Sequence, residues 1–111
     1  MNRYILHGIA RDAIDGKRVV CALTGHDVTQ TLDAVAAIEP SEVAKVRRAN
    51  GDAAVFFRSG GSVQFALSEM SLRGRSADVV CLSGHPRAGD DRLVASARAV
   101  VAASPCGEVI R

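Results

Sequence analysis

The spacing of hydrophobic positions changes along the chain, and each change marks an element. Between residues 3 and 15 they recur at helical spacing. Ile5, Ile9 and Ala13 form one stripe with Leu6, Ala10 and Ile14 beside it, while Arg3, Arg11, Asp12 and Asp15 fall elsewhere on the wheel. This predicts a helix over 3–15, stopped by Gly16 just past its C-cap. Residues 18–24 then run Arg-Val-Val-Cys-Ala-Leu-Thr. A short, continuous apolar run with β-branched residues at its start predicts a strand buried on both faces of a parallel sheet. Gly25-His26 reads as a turn. Asp27, with Gln30 three residues on, reads as the N-cap of a second helix over 27–39, with Val28, Leu32, Val35 and Ala36 on one side. Pro40 ends it, because the residue before a proline is pushed out of the helical region.

From residue 43 the period shortens. Val43–Arg48 partly alternates, Asn50-Gly51 is a strong hairpin signal, and Ala53–Arg58 follows as a strand. Ser59-Gly60-Gly61 makes a second turn. In Ser62–Leu67 the residues Val63, Phe65 and Leu67 face one way and Ser62, Gln64 and Ala66 the other. Residues 43–67 are thus expected to form an antiparallel meander that holds all three phenylalanines, which are assigned to the core. Residues 68–77 read as a polar loop with Arg73-Gly74-Arg75 in it, 78–83 as another buried strand, and 84–89 as a loop. Asp90 or Asp91 caps a third helix over 90–104, with Leu93, Val94, Ala97, Val100 and Val101 on its apolar face. Residues 107–111 form a short last strand. The expected fold is one α/β domain over 1–111: a mixed sheet with parallel core strands at 18–24, 78–83 and 107–111, the meander, and about three flanking helices. The run Val19-Val20-Cys21 ahead of Gly25-His26 is echoed by Val79-Val80-Cys81 ahead of Gly84-His85. The echo reads as two similar strand ends, not as a duplication, because their surroundings differ.

Composition narrows the classes. The 111 residues are 48% hydrophobic with a net charge of +2, which fits one modest core and excludes a disordered tail. No apolar run approaches the ~20 residues of a membrane helix, and Met1–Asp12 turns polar too soon for a signal peptide. Lys17 and Lys45 are the lysines; the remaining basic residues are arginines. Cys21, Cys81 and Cys106 are odd in number with no C-x-x-C pair, so they suggest neither a zinc site nor a disulfide framework but reduced thiols in a cytosolic-type protein.

The order of elements resembles a helicase-like P-loop ATPase, and within that class the ATPase domain of the phage terminase large subunit. Residues 9–25 are similar to the helix and strand after that family's phosphate loop. Residues 46–84 resemble its hairpin, its Arg-Gly loop and its Walker B strand, and 93–110 the helix and strand that follow. The resemblance implies an ATPase-like α/β scaffold, and the departures from it imply lost catalysis. The family's phosphate loop, G-x-x-x-x-G-K followed by Ser or Thr, would end where Met1 stands, and the strand before it is missing too. The Walker B strand should end in two acids, whereas here it ends Leu82-Ser83-Gly84-His85. Phosphoryl transfer needs a phosphate cradle and a metal-borne charge. The expectation is therefore a truncated relative, phage- or prophage-encoded, that neither hydrolyses ATP nor uses a cofactor.

Three sets of residues are candidate sites. Arg47, Arg48, Arg58, Arg73 and Arg75 gather in the meander and the loop after it, as in a nucleic-acid face. Against this stand Asp52 and Glu69, the lack of aromatics among the arginines, and the commoner outcome of a solvated charged surface. His26 and His85 each follow a glycine at the end of a predicted parallel strand, where α/β proteins place ligands. With Asp27, Asp90 or Asp91 they would make a two-His, one-carboxylate metal site; the plainer reading is two loop histidines, one packed on Pro86, and no metal. His7 reads as a surface residue, and Cys with His as a nucleophilic pair is disfavoured by buried thiols. Finally, Val109 and Ile110 would lie on an open sheet edge beside the first helix, whose Ile5 and Ile9 lack the strand that anchors them in the family. These four form a candidate interface for a second copy or a protein partner. The expected function is interaction without catalysis, in packaging or capsid assembly or on a host protein, in the host cytoplasm or the phage particle. The alternative is a small nucleic-acid-binding module on the arginines.

Overall fold

In the computed structural model the described residues are 1–49, 52–83, 85 and 89–111, without the side chains of His26, Glu69 and Met70. The elements run α1 (Arg3–Ile14), β1 (Arg18–Ala22), α2 (Gly25–Ile38), a 3-10 turn (Pro40–Glu42), β2 (Val43–Arg47), β3 (Ala54–Phe57), β4 (Ser62–Ala66), α3 (Glu69–Leu72), β5 (Val79–Cys81), α4 (Asp91–Val101) and β6 (Glu108–Ile110). They build one mixed sheet in the order β2-β3-β4-β1-β5-β6. The β2-β3 and β3-β4 pairs are antiparallel, while β4-β1, β1-β5 and β5-β6 are parallel. This is the expected mixed sheet, with the meander on one flank and the parallel strands on the other. Among the described residues no helix is long and apolar enough to cross a membrane.

Strand parity divides the core in two. Val19, Cys21 and Leu23 point to one face with Val79 and Cys81, where α1 and α2 cover them together with Val55, Phe57, Val63 and Phe65. Val20, Ala22, Val80 and Leu82 point to the other face, beneath Leu72, Ala77 and the α4 stripe of Leu93, Val94, Ala97, Val100 and Val101. A strand buried on both faces needs apolar residues at every position, so residues 18–24 and 78–83 show runs and not alternation.

Several boundaries differ from the sequence expectation for local reasons. Helix α2 starts at Gly25, with Thr24 and not Asp27 at the N-cap. Asp27 instead sits in the first turn and accepts the Thr24 hydroxyl (3.1 Å). The partial alternation of β2 has a cause: its register with β3 shifts between Val43 and Lys45. The Asn50-Gly51 turn lies outside the described residues, as do Gly84 and residues 86–88. Leu67 lies beyond the end of β4 and is exposed, so it does not share the Val63-Phe65 face. The stretch read as a polar loop contains α3. Ser68 and Ser71 bond reciprocally through side chain and backbone N–H (3.1 and 3.2 Å), which starts the turn. Leu72 then drops fully into the core. Helix α4 is capped by Asp90, which accepts from the N–H groups of Arg92 and Leu93.

Two contacts tie the layers at the amino end of the sheet. The turn between β3 and β4 runs against the last turn of α1: the Ser59 hydroxyl donates to the Ala13 carbonyl (3.0 Å) and the Ser62 N–H to the Lys17 carbonyl (3.1 Å). Gly61 stands where any Cβ would collide with the Ala13 carbonyl group. Asp78 joins three elements. One carboxylate oxygen accepts from the Arg18 N–H (2.9 Å), the other from the Ser104 hydroxyl (2.8 Å), and the Asp78 carbonyl accepts from the Glu108 N–H (3.0 Å). The Arg18 N–H first, then the Ser104 hydroxyl and the charges of Arg18 and Lys17, hold the Asp78 carboxyl below its ordinary range.

Two outcomes follow from these contacts. Gly61→Ala forces backbone apart and should cost about 2–3 kcal/mol, read as a lower urea midpoint with unchanged slope. Because the folded carboxyl of Asp78 titrates lower than the unfolded one, its contribution is complete above the unfolded value of about 4. It is lost as pH falls through the folded value. Asp78→Asn should therefore lower stability at neutral pH and flatten the acid limb of a melting-temperature profile measured from neutral pH to pH ~2.

Candidate functional sites

The arginines expected to form a nucleic-acid face do not gather into one patch. Arg47, at the end of β2, donates from Nε to the Asp52 carbonyl and from Nη2 to its carboxylate, both at 2.8 Å. Arg48 reaches Asp33 on α2 (2.6 Å). Arg75 donates to the Ser71 carbonyl (2.7 Å) and to the Gln64 side chain (3.0 Å). Arg58 and Arg73 are exposed. Arg48 and Arg75 are thus drawn to opposite sides of the sheet: Asp33 belongs to α2, on the α1-α2 side, while Gln64 shares the opposite strand parity. Each held guanidinium has an acceptor within the chain, and exposed pairs of this kind contribute ~0–1 kcal/mol to stability.

The phenylalanines correct the sequence reading. Phe57 and Phe65 are core, whereas Phe56 lies on the opposite side of β3, half-buried, with the Arg47 guanidinium 5.0 Å from its ring centroid. Adjacent residues of a strand must face opposite ways, so the pair Phe56-Phe57 already carried this signal. The arginine face does include an aromatic ring.

The two strands that lead to His26 and His85 are neighbours, as the strand pattern implies. β1 and β5 are neighbours in register, Val19 beside Val79 and Cys21 beside Cys81, so the two echoing segments lie side by side. After β1 the chain turns into α2 on one face; after β5 it passes to α4 on the other. That reversal is a topological switch point. His26 lies in the first turn of α2, its side chain outside the described residues, and His85 is half-exposed, its N–H on the Leu82 carbonyl (3.0 Å). Asp27 is engaged by Thr24, and Asp90 caps α4. Among the described residues no cluster of three metal-ligating side chains forms. His7 is exposed on α1, as expected. A shallow hollow of about 170 Å³ between α1 and α2 is lined by Met1, Leu6, Gln30, Thr31 and Ala34, which offer no ionisable side chain.

Register also brings together two cysteines sixty positions apart in the sequence numbering. Cys21 and Cys81 are fully buried, and Cys106 is exposed. The neighbouring Cys81 thiol, helped by burial, holds Cys21 well above the ordinary thiol range. Cys21 in turn lowers Cys81, with burial opposing it.

The interface residues separate into two groups. Val109 and Ile110 lie on β6, the last strand of the sheet, and both are half-buried. Ile9 is fully buried within the chain, because α1 packs on β1, β4 and α2; it offers no surface to a partner. Ile5 is half-buried against the same core. Helix α1 therefore finds its anchor in β1 and β4.

No protein family, curated protein or solved structure matches the chain.

Burial sets an order of thiol reactivity. A disulfide exchange reagent such as dithionitrobenzoate should titrate Cys106 alone in the native protein, and Cys21 and Cys81 only after denaturant is added. Fast release of all thiols from the native protein would contradict the buried pair.

Proposed function

We propose that the chain is a non-catalytic interaction protein of phage or prophage origin on a terminase-like ATPase scaffold, and that it self-associates through β6. The strand order supports the reading. In the resembling family the phosphate-loop strand adjoins the strand matched by 107–111, and here β6 is the end of the sheet among the described residues. The 111 residues hold no phosphate-loop motif, and β5 leads into Leu82-Ser83-Gly84-His85 with no carboxylate for magnesium. ATP turnover has neither of its usual supports.

The observation that carries the proposal is the direction of the β6 backbone. The Glu108 N–H donates to Asp78 and the Ile110 carbonyl accepts from Leu82 (2.6 Å), so both residues turn their backbone groups to β5. Backbone direction alternates along a strand, so the N–H and C=O of Val109 point away from the sheet. An unsatisfied edge flanked by half-buried Val109 and Ile110 favours the addition of a strand. A two-fold axis through the edge closes the assembly as a dimer with one continuous sheet.

Val109→Pro removes the outward donor while leaving the β5 hydrogen bonds of Glu108 and Ile110 in place. The parent should sediment as a dimer at micromolar concentration and the variant as a folded monomer. A parent that stays monomeric throughout that range overturns self-association.

A further inference from the structure

The meander presents a second surface that the β6 proposal does not use. On the side away from α1 and α2, the register sets Lys45 beside Phe56, Phe56 beside Ser62, Arg47 beside Ala54 and Ala54 beside Gln64. The helices on this side, α3 and α4, pack over β4, β5 and β6. Toward β2 the sheet face is less covered: Lys45 is exposed and Arg47, Phe56 and Gln64 are half-buried, with Ala54 and Ser62 buried between them. Arg75 comes in from the loop after α3 and is held there by Gln64 and the Ser71 carbonyl. Arg47 is positioned over the Phe56 ring by its two bonds to Asp52.

We propose that this face binds single-stranded DNA. Lys45 lies opposite Phe56 in the register, Arg47 lies over its ring, and Arg75 stands on the same face at Gln64, where β2 and β3 carry no packed helix on this side among the described residues. Backbone phosphates are attracted to such cations, and a base stacks on an aromatic or on the guanidinium plane above it. A duplex hides the faces of its bases, and so does not use the ring. The face is too polar for a lipid surface, since among the described residues Phe56 is its one large apolar side chain beside Lys45, Arg47, Ser62 and Gln64. A ribose is not required by anything on it: the Ser62 hydroxyl is buried and the Gln64 carbonyl is taken by Arg75.

The test is fluorescence anisotropy of a labelled thymidine oligomer of about fifteen nucleotides with the full chain, over a range of salt. Affinity should fall as salt rises. Lys45→Ala, at an exposed position, should flatten the slope of log K against log salt by about one unit. Phe56→Leu keeps apolar bulk but loses the ring, and should weaken binding roughly 5- to 100-fold, with a cooperative melt showing that it still folds. Val109→Pro, at the far end of the sheet, should leave the affinity unchanged, which separates this surface from the β6 edge. The proposal is overturned if the parent does not bind at low salt, if duplex binds as tightly, or if Lys45→Ala and Phe56→Leu behave as the parent. Tighter binding of the matching uridine oligomer overturns the assignment to DNA, and binding of polyglutamate in place of either oligomer overturns the assignment to nucleic acid.

Discussion

Strand β1 is hydrogen-bonded to β4 on one side and β5 on the other, and has helices above and below, so none of its side chains from Val19 to Leu23 reaches water. Burying each large aliphatic side chain there contributes about 1.5–3 kcal/mol before chain entropy is counted. The rest of the molecule is arranged around this requirement. The odd positions need a cover, which α1 and α2 supply; the even positions need another, which α3 and α4 supply. The meander extends the sheet from β4 and shares only the first of those covers fully, so its far side remains open around Phe56.

The sequence was most legible where one physical demand dominated. Burial on both faces leaves an unbroken apolar run, and the runs at 18–24 and 78–83 gave both central strands. The stripes of α1 and α4 and the Gly16 stop with its positive φ were equally plain, while the cap of α4, open in the sequence between Asp90 and Asp91, falls to Asp90. Legibility failed where two demands were superposed. Thr24 and Asp27 are both competent caps, and which one starts α2 depends on where β1 releases the chain. Helix α3 has a single turn, with Leu72 the one core residue among its described side chains, too little for a period to show. Leu67 continues the alternation of β4 in sequence although the strand has already ended.

The candidate sites were less legible than the fold, because function here depends on which partner each charge finds. The sequence shows five arginines close together. It does not show that Arg48 is drawn to Asp33 on the preceding helix, or that Arg75 is held by Gln64 from the far side of α3 in the chain. Those pairings convert a single basic stretch into charges on two sides of a sheet. The reverse holds for β1 and β5, where segments remote in sequence become adjacent and their cysteines stand side by side in register. The echo between the two segments marks equivalent places in one sheet, each a buried strand, side by side and in register.

The position of β1 has a consequence for how the chain assembles. It precedes both of its neighbours: Val19 pairs with Val63, in the last strand of the meander, and with Val79, beyond it. Until those residues are available, this strand, built to be buried on both faces, has two open edges and only one helical layer to shelter under. Contacts of such long sequence separation close late and slow the folding of a domain. A nascent chain that has delivered only α1, β1 and α2 thus exposes an unpaired hydrophobic strand, the kind of species that aggregates or engages a chaperone. The antiparallel meander, built from local hairpins, can form on its own schedule. The parallel half waits for β5, so native structure becomes available only when nearly the whole chain is present.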